Sequence, residues 1–146
     1  MSDLGQLGGI DLRQDAGAHW VVKDEVVMVE FALADGILES AVGANRYAAG
    51  DALLTGSTGD RWCVSRDRFD AKYRPESGVQ AGETGRYRNV PQRIRGKRMA
   101  VAFSIARSAG GDVLRGAAGD WLVQYAPGDY GVVARMRFEA VYRVVG

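Results

Sequence analysis

Four of the Gly-Asp pairs in the chain belong to a repeated pattern, and their carboxylates are the first groups that could perform chemistry. The pairs are Gly50-Asp51, Gly59-Asp60, Gly119-Asp120 and Gly128-Asp129. Two carboxylates in one cleft can act as general acid and general base, and Asp60 and Asp129 hold equivalent places in a repeated pattern. In the simpler interpretation, each glycine supplies a positive φ angle and each aspartate accepts hydrogen bonds from neighbouring amides in a turn. We favour the turn, so a hydrolase or transferase using Asp60 and Asp129 is our third hypothesis.

The strongest concentration of charge lies in residues 86–98, which contain six cationic side chains and no acid. The cations are Arg86, Arg88, Arg93, Arg95, Lys97 and Arg98, with Tyr87 between the first two. Arginine and lysine side chains bind the phosphates of nucleic acids, and an aromatic ring can stack on a base. An edge strand or linker kept soluble by its charges gives the same pattern. Nucleic-acid binding is therefore an alternative hypothesis.

Aromatic side chains close to two of the Gly-Asp pairs could form a surface for a protein or a small ligand. Trp62 follows Asp60 by two residues, and Tyr130 follows Asp129 directly. Rings that point outwards would contact a partner, whereas rings that point inwards would fill a core, and the sequence leaves both orientations open. Exposure of Tyr47 would also support a contact surface. The remaining candidates for ligand or partner binding are Tyr73, Arg74, Tyr142 and Arg143.

These residues recur because the sequence is internally duplicated. Shifting the numbering by 69 places residues 50–74 on residues 119–143, and 12 of those 25 positions are identical. A further match, with a shift of 72, places residues 29–34 on residues 101–106. One such module would bury little apolar surface by itself. We therefore expect a mostly β protein in which the two copies pair across a pseudo-twofold axis into one β barrel or sandwich.

Each copy is predicted to consist of short strands, because its apolar and β-branched runs are brief and are separated by glycine and proline. We expect no helix longer than a single turn. Residues 35–45 are predicted to be a loop with room for a short strand, because the copies differ in length there. The predicted organisation is a mobile N-terminal segment over 1–18 that adds little core, a first module over 19–75, a connector over 76–96, and a second module over 97–146.

Composition narrows the remaining classes of function. A net charge of +1 provides no overall attraction to nucleic acid or to a membrane, so such a partner would need a local patch. No segment approaches the roughly 18 consecutive apolar residues of a membrane span, and no membrane partner is predicted. The single cysteine, Cys63, indicates a reducing compartment, for which the cytoplasm is the default. With one histidine, His19, and no phosphate-binding or zinc motif, the sequence predicts no metal and no cofactor, and favours a non-enzymatic protein.

Part of the second copy resembles a known family. Residues 117–123, then Pro127-Gly128-Asp129-Tyr130-Gly131, then residues 138–143 are similar to the bacterial family named after its PGDYG motif, and to short proteins common in phages and prophages. The resemblance covers residues 97–144, and the first copy differs from it, with Thr58-Gly59-Asp60-Arg61-Trp62 at the corresponding place. It implies a small bacterial cytoplasmic protein, with a mobile-element origin among the expectations, and it supplies no catalytic residue.

The leading hypothesis is a non-enzymatic binding or interaction protein, built from two tandem β modules, whose partner is an unidentified protein or small ligand. Nucleic-acid binding through residues 86–98 is the alternative. The two hypotheses require different side chains to be exposed. The first needs outward-facing aromatic residues, and the second needs the cations of residues 86–98 on one surface.

Overall fold

The computed structural model describes residues 6–40 and 43–146, which are mostly β with two short α-helices. In the first half of the chain the elements are β1 (Gln6–Leu7), a 3₁₀ turn (Leu12–Gln14), β2 (His19–Lys23), β3 (Val26–Phe31), β4 (Gly36–Ser40), β5 (Gly43–Tyr47), β6 (Ala52–Thr55), β7 (Arg61–Val64), α1 (Arg66–Lys72) and β8 (Tyr73–Pro75). In the second half they are β9 (Gly85–Asn89), β10 (Arg93–Arg98), β11 (Phe103–Ala106), β12 (Val113–Gly116), β13 (Trp121–Ala126), β14 (Asp129–Val133), α2 (Arg135–Val141) and β15 (Tyr142–Val144).

The chain forms two compact units that do not follow chain order. Unit 2 is the continuous segment Asp24–Pro91, and unit 1 combines the described part of Met1–Lys23 with Gln92–Gly146. Unit 2 is therefore inserted between two strands of unit 1, β2 and β10, which pair with each other. The connections at both ends of the insertion are short. Strand β2 ends at Lys23 and β3 begins at Val26, and β9 ends at Asn89 and β10 begins at Arg93.

Unit 2 is built on a five-stranded sheet with the order β7-β6-β3-β9-β8. Alternation along β3 turns Val27 and Val29 towards one face of this sheet, where Phe69 from helix α1 packs against them. Tyr87 of β9 is also buried there, with its ring 5.0 Å from that of Phe69. A two-stranded sheet of β4 and β5 contacts strand β7. One face of the five-stranded sheet is therefore the core of unit 2.

Unit 1 is built on a second five-stranded sheet, with the order β14-β13-β10-β2-β15. Helix α2 packs on one face through Phe138, whose ring stacks on Trp121. The opposite face is covered by the three-stranded sheet β1-β11-β12 and by residues 10–18, with Leu12 packing in the same cluster as Leu122 of β13. Each face of the unit 1 sheet is therefore at least partly covered.

The two five-stranded sheets place their elements in the same order. In each, the strand after the helix lies at one edge, and the strand before the helix lies at the other. The strand next to the one that follows the helix is β9 in unit 2 and β2 in unit 1. Strand β9 is the last strand of unit 2, and β2 is the first described strand of the unit 1 sheet. Tyr87 and Val21 occupy this position and differ greatly in size. Val21 lies where the large ring of Trp121 fills the core instead.

Several sequence-based expectations need correction. Within residues 6–40 and 43–146 every sheet is open, so the barrel alternative is wrong. The N-terminal segment does contribute to a core, because Leu12 is 1% exposed, while residues 1–5 lie outside the described part. The match that placed residues 29–34 on 101–106 pairs β3 with β11, yet β3 belongs to a five-stranded sheet and β11 to a three-stranded one.

Two local elements are more regular than the sequence predicted. Strands β4 and β5 pair as a hairpin, so residues 35–45, which were predicted to be a loop, carry strands. Residues 41 and 42, between these strands, lie outside the described part. Both helices have seven residues, somewhat more than the single predicted turn. Each ends where Tyr73 or Tyr142 returns the backbone to an extended conformation. Among the described residues, no helix has the length and apolarity that crossing a membrane requires.

Candidate functional site

Two of the Gly-Asp pairs form the turns that the sequence predicted. Gly50 and Gly119 have φ angles of 90° and 93°, in the left-handed region that favours glycine. The carboxylate of Asp51 accepts a hydrogen bond of 2.8 Å from the amide of Ala48. Asp120 accepts from the amide of Ala117 at 2.8 Å and, through its other oxygen, from the first amide of helix α2 at 2.9 Å. These aspartates hold turns in place.

The proposed catalytic pair, Asp60 and Asp129, is divided between the units. Asp60 ends the turn before β7 in unit 2, where its carboxylate accepts a hydrogen bond of 2.6 Å from the Thr58 hydroxyl. Asp129 begins β14 in unit 1 and pairs with Ala126. Each follows a glycine with a positive φ angle, as a tight turn requires. Acid–base chemistry by this pair stays a prediction.

The predicted aromatic contact residues all pack against cores. Tyr73 is 6% exposed and stacks on Phe69 with 5.1 Å between ring centroids. Tyr142 stacks in the same way on Phe138, at 5.0 Å. Trp62 is half-buried against the core of unit 2. Burial leaves these rings little area for a partner.

Tyr130, of the motif that suggested the family resemblance, is also half-buried. It packs against the Leu12 cluster, and its hydroxyl donates a hydrogen bond to the carbonyl oxygen of Ile10. Tyr47 of β5 is likewise only partly exposed. The Tyr130 contact shows a local structural role, which is to hold the N-terminal segment on unit 1.

The two arginines that follow Tyr73 and Tyr142 differ in their contacts. Arg74 donates hydrogen bonds from Nη1 to the carbonyl oxygens of Asp70 and Tyr73, at 2.8 and 2.9 Å, and so satisfies the end of helix α1. Arg143 lies exposed on β15 and pairs in register with Val22 of β2. Arg143 is therefore the more available of the two.

The basic segment 86–98 is also divided between the units. Its first part forms β9 of unit 2, where Arg86 and Arg88 are exposed and Tyr87, between them, is 1% exposed. The Tyr87 hydroxyl donates to the carbonyl oxygen of Glu83 at 2.6 Å. Tyr87 therefore cannot stack on a base without unfolding the core. The second part of the segment forms β10 of unit 1, with Arg93, Arg95, Lys97 and Arg98.

Two of the β10 cations hold the N-terminal segment on the sheet. Arg95 donates hydrogen bonds of 3.2 Å to the carbonyl oxygens of Leu12 and Ala18. Lys97 donates to the Asp15 carboxylate at 2.8 Å, and this hydrogen bond is the largest cause of the lowered pKa of Asp15. Both side chains are half-buried. Their positive charges are used within unit 1 and are poorly placed for an external ligand.

An exposed aromatic residue that the sequence analysis did not select lies beside them. Trp20 of β2 pairs in register with Arg95 of β10 and is 37% exposed. The guanidinium carbons of Arg93 and Arg95 lie 5.1 and 4.8 Å from the centroid of the indole ring, within the range of a cation–π interaction. The ring is thus held in place by charged side chains and remains partly open to solvent.

One further cation, Arg143, lies near Trp20 on the sheet. Val22 of β2 pairs with Arg143 on one side and with Arg93 on the other. Residues in register on antiparallel strands project from the same face, so both arginines share a face with Val22. Trp20 lies two residues before Val22 on β2 and therefore projects from that face as well. We call Trp20, Arg93 and Arg143 the Trp20 surface. Among the described residues, neither Arg93 nor Arg143 has an ion-pair partner.

The Trp20 surface has the chemistry to bind an anion beside a flat ring. Arginine presents a planar fork of donors that matches phosphate or carboxylate oxygens, and packing against indole limits the motion of the fork before binding. Within residues 6–40 and 43–146, no three His, Cys, Asp or Glu side chains are grouped in a way that could hold a metal ion. The Trp20 surface itself offers one aromatic ring and two guanidinium groups for recognition.

Comparison with known proteins identifies one family. The family described as PGDYG protein matches residues 43–143, which is well over half of the chain. No curated protein and no solved structure matches the chain. The matched region includes most of unit 2, all of β10 to α2, and the motif Pro127-Gly128-Asp129-Tyr130-Gly131.

Proposed function

The chain belongs to the PGDYG protein family, and we propose that it is a non-enzymatic binding protein that recognises single-stranded nucleic acid through the Trp20 surface. The observation that carries this proposal is the position of Trp20. Its ring is partly exposed on the sheet, with Arg93 against it and Arg143 two strands away on the same face. Single strands are bound by this combination of backbone-binding cations and a stacking aromatic ring.

The arginines account for contacts to the phosphate backbone. Arg93 and Arg143 are exposed and flank Val22 on neighbouring strands, so their Cα atoms are about 10 Å apart. Neither is committed to an acidic side chain of the described residues, so a phosphate would not have to displace one. Because the whole chain has a net charge of +1, this local pair would supply most of the attraction.

The indole ring accounts for contact with a base. Trp20 is 37% exposed, which leaves part of its ring available. A base that stacks there adds about 1–3 kcal/mol without a preference for sequence. The backbone of Trp20 is fixed by hydrogen bonds with Val145 and Gly146, so the ring stands on an ordered strand. A prepositioned ring loses little side-chain entropy on binding.

The same proposal includes the origin and setting of the protein. We infer that the two units descend from one duplicated module, supported by the 12 identical positions and by the common order of the two five-stranded sheets. Equivalent positions have diverged, since Trp20 in unit 1 stands where Arg86 stands in unit 2. A cytoplasmic setting is supported by the lone Cys63, because a chain with one cysteine forms no internal disulfide and proteins of reducing compartments rarely contain one. A bacterial origin is proposed from the family resemblance alone.

Fluorescence anisotropy with a labelled oligothymidylate and a labelled oligouridylate at low salt tests this function. The informative variant is Arg93→Glu/Arg143→Glu, and the matched control is Arg115→Glu/Arg135→Glu, which changes the net charge equally at exposed positions of unit 1. We expect binding by the wild type and by the control, and at least about tenfold weaker binding by the first variant. Absence of wild-type binding, or equal losses in both variants, would overturn the proposal.

A further inference from the structure

The outer face of the five-stranded sheet of unit 2 is the face opposite helix α1, and among the described residues it carries exposed side chains along β3 and β9. Val27 and Val29 of β3 point to the core with helix α1, so Met28 between them points to the opposite face. Met28 is 51% exposed, and its partner in register on β9 is Arg86. We define the Met28 face as the outer face formed by β3, β6, β8 and β9 with Arg61 of β7.

Unit 1 shows what this kind of face can hold. In unit 1 the residue that corresponds to Met28 is Arg95. Met28 pairs with the second residue of β9, and Arg95 pairs with the second residue of β2. Residues 10–18 lie over that face, held by hydrogen bonds from Arg95 to the carbonyl oxygens of Leu12 and Ala18. This segment contains the 3₁₀ turn Leu12–Gln14 between two extended residues, Asp11 and Asp15, and the second of these aspartates binds Lys97. The sheet face of unit 1 thus holds an acidic peptide segment.

Charge indicates that the occupant of the Met28 face is acidic as well. Four arginines and one glutamate project from the face, as the strand registers require: Arg61, Arg74, Arg86, Arg88 and Glu30. Much of this charge is already engaged: Arg88 lies 2.8 Å from Asp24 and 3.8 Å from Glu76, and Arg61 lies 3.9 Å from Glu30. Arg74 donates hydrogen bonds to two backbone carbonyl oxygens. Among the described residues, Arg86 has no ion-pair partner, and it lies next to Met28 at the centre.

We propose that the Met28 face binds an acidic, extended peptide segment of a partner protein. Apolar side chains of the segment contact Met28 and Leu53, and its carboxylates contact the guanidinium group of Arg86. Alternating acidic and apolar residues suit this surface when the backbone of the segment lies edge-on to the sheet. Successive side chains of an extended chain then project to the two sides of the backbone, one row towards Met28 and Leu53 and the other towards Arg86. This binding site is distinct from the Trp20 surface, which lies on the other unit.

The experiment measures anisotropy of a labelled peptide of alternating Asp and Leu with the full-length protein, with a Ser and Leu peptide as control. We expect binding of the acidic peptide alone. Arg86→Glu should weaken it about tenfold or more, since a like charge then faces the carboxylates, and Met28→Ser should weaken it about threefold. Arg93→Glu, on the Trp20 surface, should leave the peptide affinity unchanged. Both altered residues on this face are exposed, so circular dichroism should show the wild-type fold.

Three results would overturn the inference. One is absence of binding of the acidic peptide by the wild type, and another is an equal loss of peptide affinity in Arg93→Glu. The third is loss of oligonucleotide affinity in Arg86→Glu with peptide affinity intact, which would assign the Met28 face to nucleic acid. Failure of the Trp20 proposal would leave the peptide measurement unaffected, because the two sets of variants alter different units.

Discussion

Replacing Arg95 by methionine should release the N-terminal segment from unit 1, whereas the same replacement at Arg93 should not. Both arginines contact the Trp20 ring, and Arg95 in addition donates to two carbonyl oxygens of residues 10–18, at 3.2 Å each. Methionine keeps an unbranched apolar stem and removes the guanidinium group with its charge, and Met28 shows that the corresponding sheet position accepts it. The pair of variants separates a structural cation from a ligand-binding one.

The magnitude follows from the contacts that are lost. Hydrogen bonds from a charged group contribute about 1.5–3 kcal/mol each when buried. Arg95 is half-exposed and its two hydrogen bonds are long, so we take about 1 kcal/mol for each of them. If the segment then detaches, Leu12, which is 1% exposed, loses its burial, worth roughly 2 kcal/mol. We expect the free energy of unfolding to fall by about 2–4 kcal/mol for Arg95→Met. Arg93→Met should cost about 0.5–1 kcal/mol, the value of an exposed cation–π contact.

Urea denaturation with hydrogen exchange read by mass spectrometry measures both effects. In Arg95→Met, amides of residues 11–18 and of the β2 and β10 ladder should exchange faster, and those of unit 2 should not change. In Arg93→Met, exchange should match the wild type. A free energy of unfolding within about 0.5 kcal/mol of wild type for Arg95→Met would refute the structural role assigned to that residue.

Two further predictions concern turns and acid sensitivity. Asp120→Ala should lower the free energy of unfolding by about 1–2 kcal/mol, because the amides of Ala117 and Arg135 lose their acceptor, and a urea midpoint near that of the wild type would contradict it. Lys97 lowers the pKa of Asp15, so this pair stabilises unit 1 above pH about 4 and ceases to do so as the pH falls through the lowered pKa. As the pH falls, amides of residues 11–18 should therefore exchange faster with solvent, and Lys97→Met should make this acceleration smaller. An exchange rate with the same pH dependence in Lys97→Met as in the wild type would count against a stabilising role of the pair.

Local features of the fold could be predicted from the sequence because their causes are local. The turns at Asp51 and Asp120 need a glycine with positive φ and a short acidic side chain, and both are visible as Gly-Asp pairs. The helices contain Phe69 and Phe138 at matching places, with a stacked tyrosine four residues later. Each of these interactions joins residues close together in the chain.

The pairing of β2 with β10 could not be predicted, because it joins residues about 75 positions apart, such as Trp20 and Arg95. Nothing in the short sequence of β2 distinguishes this partner from the adjacent strand β3. The Trp20 surface was missed for the same reason, since it exists only where β15, β2 and β10 lie side by side. Conversely, Tyr87 lies among cations in the sequence, and its burial depends on the strand alternation of β9 and the core around Phe69.

The salt dependence of oligonucleotide binding tests the central claim most directly. Two phosphate contacts, at Arg93 and Arg143, predict a slope of about −1.4 for the logarithm of the association constant against the logarithm of the salt concentration. Arg93→Ala/Arg143→Ala should bind weakly with a slope near zero, and Arg115→Ala/Arg135→Ala should keep the wild-type slope. A wild-type slope that persists in Arg93→Ala/Arg143→Ala would show that the phosphates are bound elsewhere and would contradict the assignment of the Trp20 surface.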